Sequence, residues 1–400
     1  MISVAEALEQ VLAHAKPLPP DEVPLERADG SVLAFDLKAL RTQPPAAVSA
    51  MDGYAVRAAD IIGAPVRLDI VGEVAAGRPF AKQIAAGQTA RIFTGGVVPD
   101  GADTVVVQEV TRRDGDIVEI QKSTAKGRNV RPKGLDFTAG ETLLRKGHRL
   151  RARDLALAAG MNHPLVPVYR RPRIALFATG DELVPPGREP GPGQIVYSNG
   201  FSLAALARAE GADVTDLGIV HDTLQATMTA IEDARDLPAD ILVTTGGASV
   251  GEHDFVQKAF AEEGVDLSFW KVAMRPGRPL MHGRLGDMHM LGLPGNPVSS
   301  YVCAFLFLVP LIRRMSGRTD LVAPIERAVL GCDLAENDER ADYLRAKLDD
   351  SADGLIATPF PAQDSSMMAP LAQAGCLVIR APHASPAKAG SACEIMRFDR

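Results

Sequence analysis

Aromatic residues are scarce in this 400-residue chain, at 5% with a single tryptophan, Trp270. That leaves few platforms on which single-stranded nucleic acid or sugars could stack. The four cysteines (Cys303, Cys332, Cys376 and Cys393) form no C-x-x-C pair, so neither a disulfide framework nor a zinc site is expected. The compartment reads as reducing. The longest apolar run, residues 301–309, is stopped by Pro310 and falls short of the roughly 18–20 residues a membrane span needs. It reads as a buried core helix, with no membrane partner. No basic, apolar leader opens the sequence; Ser3 and Glu6 instead form a capping box at the start of an amphipathic helix. A cytoplasmic location is expected. Also missing are G-x-x-x-x-G-K-[ST], G-x-G-x-x-G after a strand, and H-E-x-x-H. The usual signs of ATP hydrolysis, dinucleotide redox chemistry and helical zinc binding are therefore absent.

What is present is the balance of a soluble globular protein: 46% apolar and 23% charged residues. The length asks for two to four domains. Glycine (36) and proline (29) are raised, which points to many structured loops. A net charge of −7 disfavours bulk nucleic-acid binding, yet residues 111–154 hold twelve Lys and Arg against six Asp and Glu. Such a stretch is as readily a solvated face as an anion site.

Along the chain, an opening helix (3–14) leads through prolines 17–24 to Thr42-Gln43-Pro44-Pro45. Short β-type runs follow at 66–71, 104–107 and 117–120, separated by Gly and Asp-Gly turns. Residues 138–171 contain one helical piece, 154–159, and end on Arg171-Pro172. From 173 the period changes. Apolar runs 174–178, 214–217, 241–243 and 288–291 alternate with helical stretches 200–210, 223–235, 254–263 and 298–315. That alternation predicts a doubly wound parallel sheet. Beyond Ser316-Gly317 the short-strand pattern returns.

In an open parallel sheet, ligands bind beyond the carboxyl ends of the strands. Three strand exits here carry unusual loops: Thr179-Gly180-Asp181-Glu182, the stretch from Thr244 to Asp254, and Leu293-Pro294-Gly295-Asn296-Pro297-Val298-Ser299. Gly246, Gly247 and Gly251 permit close backbone approach to a phosphate, and Ser249 adds a hydroxyl. Glu182, Asp222 and Asp254 are placed to share Mg²⁺ with substrate phosphates, although Asp222 and Asp254 also sit where helix N-caps belong. Lys271, Arg275 and Arg278 surround a stiff Pro-Gly turn followed by Pro279, a pocket suited to an oxyanion. A rival reading exists. Gly247-Ala248-Ser249-Val250-Gly251 matches the nucleophile elbow of serine hydrolases, with Asp266 or Asp287 and His282 or His289 available for a triad. Against it stand the missing His-Gly-Gly-Gly oxyanion motif and the short α/β block.

Five motifs in order, Met51-Asp52-Gly53-Tyr54-Ala55, Arg91-Ile92-Phe93-Thr94-Gly95, Thr179-Gly180-Asp181-Glu182-Leu183, Gly246-Gly247-Ala248-Ser249-Val250-Gly251 and Gly292-Leu293-Pro294-Gly295-Asn296-Pro297-Val298-Ser299, resemble the molybdopterin molybdenumtransferases. This is the MoeA family, related to the gephyrin E domain. The resemblance implies the last step of molybdenum cofactor synthesis: adenylylated molybdopterin and molybdate react with Mg²⁺ to give the cofactor and AMP. It implies four parts: an elongated discontinuous domain (1–41 and 138–171), an inserted β-rich domain (42–137), the α/β molybdopterin-binding domain (172–317) and a C-terminal β-barrel (318–400). It also implies a homodimer whose active site joins the α/β domain of one subunit to the inserted domain of the other. Asp52, Thr94 and Asp136 would then face Glu182, Asp222 and Asp254. Gly180, Gly246, Gly247, Ser249, Gly251, Pro294 and Pro297 would hold pterin and phosphate. Lys271, Arg275, Arg278, Pro279 and Ser299 would hold molybdate, with Arg345 from the last domain. A molybdopterin adenylyltransferase and molybdoenzyme-maturation proteins are the expected partners. Where this family often has lysine, the chain has Arg275 and Arg278, and its segment 369–375 lacks the family's Ser and Ala-Asn pair. A non-catalytic pterin-binding scaffold is the other outcome that the gephyrin relationship allows.

Overall fold

The structure is a computed structural model that describes residues 1–247, 255–352 and 354–398. Its centre is a six-stranded sheet in the spatial order Asp213–Val220, Arg173–Thr179, Ile241–Thr245, Met288–Leu293, Met281–Leu285, Asp266–Trp270. The first four are parallel, as the alternating pattern predicts. Their side chains alternate between two cores. Ile174 and Leu176 pack under Asn199–Ala209 and the long helix, whereas Ala175 and Phe177 pack under Leu224–Asp236 and Phe255–Glu262. A strand covered on both faces reads as a continuous apolar run, which is why the three inner strands stand out in the sequence; the edge strand Asp213–Val220 is only partly buried and carries polar residues between its apolar ones.

The last two strands are antiparallel and were not anticipated. Leu285 pairs with Met288 across a two-residue turn in which Gly286 adopts φ 61°. So short a connection can join only antiparallel strands. The long helix runs from Pro297 to Met315, as the helical stretch 298–315 predicts, and it passes Pro310 by way of a π-helical stretch over Ala304–Leu308 just before the proline. The wider turn accommodates a residue that has no N–H to give. This helix is long and apolar enough to cross a membrane, but it is mostly buried in the core between the sheet and Val4–Ala13. The capping box that opens Val4–Ala13 is formed: Ser3 N–H donates to Glu6 Oε2 (2.7 Å) and Glu6 N–H to Ser3 Oγ (3.2 Å).

The remaining parts give the multidomain α/β plus β architecture expected from the sequence. Pro20–Pro24 pairs with Leu165–Tyr169, and Leu37–Lys38 with Thr142–Leu144. Leu33 and Leu37 thereby share one core with Leu150, Met161 and Val166. Between these two halves the chain builds a six-stranded sheet from Gly53–Val56 to Ile117–Ile120. In the C-terminal region five strands close into a barrel, because Cys376–Arg380 returns to pair with Ala341–Ser351. The short strand Met274–Arg275 adds to that barrel in parallel with Ala341 and Asp342, tying it to the α/β part.

Candidate active site

A cavity of ≈ 1070 Å³ opens at the carboxyl ends of the parallel strands. Each strand delivers part of its wall: Thr179 and Glu182 at the end of Arg173–Thr179, Asp222 after Asp213–Val220, Gly246 and Gly247 after Ile241–Thr245, and Pro294, Pro297 and Ser299 after Met288–Leu293. Glycine is required at 246. Its φ is 85°, and a Cβ there would lie 2.4 Å from the Thr179 carbonyl oxygen, so a side chain would drive the neighbouring strand ends apart.

Two carboxylates face this space. Glu182 folds back over Gly180, its Oε2 2.6 Å from where a Cβ at 180 would sit. Asp222 is not the helix cap. Thr223 takes that role, its Oγ1 accepting from Ala226 N–H at 3.2 Å. Among the described residues neither the Glu182 nor the Asp222 carboxylate has a hydrogen-bond or ion-pair partner; Asp181 instead receives the Asp222 N–H and His221, each at 3.3 Å. Two uncommitted carboxylates on the wall of a cavity with room for phosphates match the donor set that Mg²⁺ takes from proteins. Among the described residues no group of three His, Cys, Asp or Glu converges. Asp254, like Ser249 and Gly251, lies outside the described residues.

The cations divide into committed and uncommitted. Arg275 donates from Nε to Asp342 Oδ1 at 2.8 Å and from Nη2 to Asp342 Oδ2, with Asp338 3.5 Å from Nη1. These bonds raise its pKa above the ordinary arginine value. Arg340 also lines the cavity and shares Asp338 at 2.8 Å; its hydrogen bonds push the Asp338 carboxyl down to about 2. Arg278 lines the cavity, is exposed, and has no side-chain partner among the described residues. Pro279 and Ser299 are beside it on the wall, Ser299 in the first turn of the long helix.

Lys271 and Arg345, expected at the anion site, are not part of this wall. Arg345 is 1% exposed and spends its guanidinium on backbone carbonyls: Met367 and Asp364 at 2.9 Å and Ala362 at 3.5 Å. It holds a loop whose Gln363, Ser365, Ser366 and Met368 do line the cavity. Ser365 in turn accepts from Asn296 Nδ2 at 2.7 Å, and its carbonyl accepts the Val298 N–H at 3.0 Å. The C-terminal region is thus docked on the head of the long helix. Sequence reasoning missed Arg340, Tyr197, Asn199 and Gln363. Only topology brings them here. Asn199, 9% exposed, bonds the Gly295 carbonyl at 2.7 Å, and the buried Tyr197 donates to Asp216 at 3.1 Å; burial first, and then the Asp216 charge, raise its phenol pKa.

Asp52, Thr94 and Asp136 do not line the cavity of their own chain. Asp52 Oδ1 accepts from Thr94 N–H at 2.8 Å and Oγ1 at 2.7 Å, and the backbone bond most of all holds the Asp52 carboxyl below its usual range. Asp136 donates its N–H to the Gln43 carbonyl at 3.0 Å, in the turn after Gly134.

Three family models account for nearly all of these segments: the MoeA N-terminal region (domain I and II) matches residues 2–161, a probable molybdopterin binding domain 175–314, and the MoeA C-terminal region (domain IV) 327–398. The chain belongs to the MoeA family. It is 40% identical to the molybdopterin molybdenumtransferase of Nostoc sp. over 334 residues, 82% of this chain and 76% of that protein. To the Bacillus subtilis protein of the same name it is 34% identical over 386 residues, 94% and 90% of the two chains. A structure of the molybdopterin biosynthesis MoeA protein from Pyrococcus horikoshii superposes with TM-score 0.86 at 30% identity, covering 100% of both chains. In this MoeA chain the cavity therefore draws on the molybdopterin-binding match for its acids and Arg278, and on the domain IV match for Arg340 and Gln363.

Proposed function

We propose that this chain inserts molybdenum into molybdopterin, converting adenylylated molybdopterin and molybdate to the molybdenum cofactor with release of AMP. The observation that carries the reading is the polarity of one cavity: two carboxylates that have no partner among the described residues, Glu182 and Asp222, share its wall with Arg278, likewise without a side-chain partner among them, with Arg340 and with Ser299. The relatives named molybdopterin molybdenumtransferase, matched over most of both chains, support the same chemistry.

The residues act mainly by placing anions side by side. Arg278 and the head of the long helix, with Ser299, attract an oxyanion such as molybdate. Arg340 adds charge at the same end, and Arg275 keeps the loop in shape. Gly246 and Gly247 let the pyrophosphate approach the backbone. Glu182 and Asp222 would hold Mg²⁺, which when bound supplies positive charge against that pyrophosphate. Holding the dithiolene and molybdate together removes much of the entropic barrier, so few side chains need to move protons. The partner subunit's Asp52, the partner subunit's Thr94 and the partner subunit's Asp136 complete the site in a homodimer. The protein works in the cytoplasm, downstream of a molybdopterin adenylyltransferase.

The test is AMP release from adenylylated molybdopterin with molybdate and Mg²⁺. Glu182→Ala and Asp52→Ala should each abolish it. Mixing the two unfolded and refolded together should restore about a quarter of the wild-type rate, because half of the dimers are mixed and carry one intact site of two. Unchanged release in Glu182→Ala would falsify the assignment, and no recovery on mixing would place both residues in one subunit's site.

A further inference from the structure

The segment from Lys271 to Pro279 brings Arg275, Arg278 and Pro279 to the cavity, and its backbone is under constraint. Lys271 has φ 106°, a region L side chains rarely adopt, and Gly277 has φ 109° with its missing Cβ 2.4 Å from Cys303 Sγ. What holds this path is a short ladder built from three distant parts of the chain. On one side the Ala273 carbonyl accepts the Ala341 N–H at 3.0 Å, and Met274 and Arg275 continue that pairing along the barrel. On the other side the Ala273 N–H donates to the Ile2 carbonyl at 2.8 Å, Ile2 N–H approaches the Lys271 carbonyl at 3.5 Å, and Ile2 bridges Val272 in parallel. Ile2 is itself fixed, because Ser3 caps the helix Val4–Ala13, whose Ala7 and Val11 are fully buried.

We infer that Ile2 is a positioning residue for the anion end of the cavity, acting through the Ala273 backbone on Arg278. The two arginines depend on it unequally. Arg275 is held by its side chain, through Asp342. Arg278 has no side-chain partner among the described residues, so only the backbone decides where its charge lies. With the Ile2 edge gone, the loop keeps its pairing to Ala341 and its internal bonds, Val272 N–H to the Arg278 carbonyl at 3.0 Å and Lys271 N–H to the Leu280 carbonyl at 3.2 Å, but it loses the outer strand that holds Val272 and Ala273 in register, and the whole turn that carries Arg278 can shift with them. The identity of the anion as molybdate rests on the proposed function; the clamp itself does not.

The experiment compares three full-fold proteins: wild type, Ser3→Ala, and a chain that begins at Ser3 after removal of a cleavable tag. Ser3→Ala loosens the helix cap while leaving the residue 2 backbone in place. Amide hydrogen exchange over residues 271–279 should accelerate at least about tenfold in the chain beginning at Ser3, with the strands 173–179 and 241–245 unchanged, and stay within about twofold in Ser3→Ala. In the turnover assay the same truncated chain should show a KM for molybdate raised about tenfold, with kcat and the KM for adenylylated molybdopterin within about twofold. Loop exchange equal to wild type, acceleration spread over the whole protein, or equal effects on both KM values would each overturn the inference. If wild type shows no molybdate-dependent turnover, the proposed function fails while the exchange measurement still judges the clamp.

Discussion

Asp342, with a side chain 5% exposed, grips both the Nε and Nη2 sides of Arg275, whose own side chain is 49% exposed. The pair joins the first strand segment of the cation loop to the barrel, so it belongs to the protein's stability more than to ligand capture. Arg278, three residues on, is the reverse case. Asp342→Ala should lower unfolding free energy by about 1–3 kcal/mol in urea titrations, a range discounted for the half-exposed arginine. Arg278→Ala should leave stability within about 0.5 kcal/mol and raise the KM for molybdate at least about tenfold. The opposite pattern would reverse the two assignments.

Arg345 makes a second prediction about stability. Its buried guanidinium satisfies three carbonyls of the 362–367 loop, and burial lowers its pKa. Arg345→Met leaves those acceptors without donors and should cost about 2–4 kcal/mol. Arg345→Lys should recover little, since an ammonium cannot span the same fork. Both variants should raise the KM for molybdate as the Gln363 and Ser365 wall loosens, and a full-affinity, destabilised Arg345→Met would confine the residue to folding alone.

The contrast between Arg345 and Arg340 shows what a sequence can carry. Strands 173–179 and 241–245 were legible because both faces are buried and the apolar run is unbroken. The loops at their ends were legible because Gly246 and Glu182 are odd residues for a strand exit. A motif, however, gives a residue's identity and not its direction. Arg345 points into backbone carbonyls, while Arg340, in an ordinary charged stretch, reaches the cavity only because Ala341 pairs with Met274 across 67 positions of sequence. Asp222 and Thr223 are equally good caps on paper; the local backbone chose Thr223.

Gly180 offers a test of Glu182 that leaves every charge in place. An added methyl at 180 would lie 2.6 Å from Glu182 Oε2 and 2.9 Å from both Cδ and Oε1, and the flexible carboxylate is the part that can yield. Gly180→Ala should therefore displace the carboxylate and slow AMP release at least about tenfold, with a higher Mg²⁺ requirement; because Gly180 has φ 156°, where a side chain is strained, it should also cost about 1 kcal/mol of stability while the protein stays folded. Normal turnover at normal Mg²⁺ would show that the Glu182 position is unimportant.

His282 and His289 sit face to face in the antiparallel hairpin, Nε2 of one 3.3 Å from Nδ1 of the other, with Phe269 packed on His282 and no partner for His282 Nδ1 among the described residues. Burial above all pushes His282 down to about 3 and His289 down to about 4; the neighbouring His289 adds to the shift at His282, Arg284 and His14 act in the same direction at both, and Asp287 opposes them at His289. In the unfolded chain both titrate near 6.5, so below that pH the unfolded state binds more protons and gains ground. The stability that neutral histidines confer is complete above about pH 6.5 and drains as pH falls toward 4 and then 3. At about 1.4 kcal/mol per group per pH unit once titration is under way, the pair should remove about 3 kcal/mol between pH 6.5 and pH 5. Denaturant titrations across that interval should show this slope, and His289→Gln should halve it whatever its absolute cost. An unchanged slope in that variant would mean that the pair is not the source of the acid sensitivity.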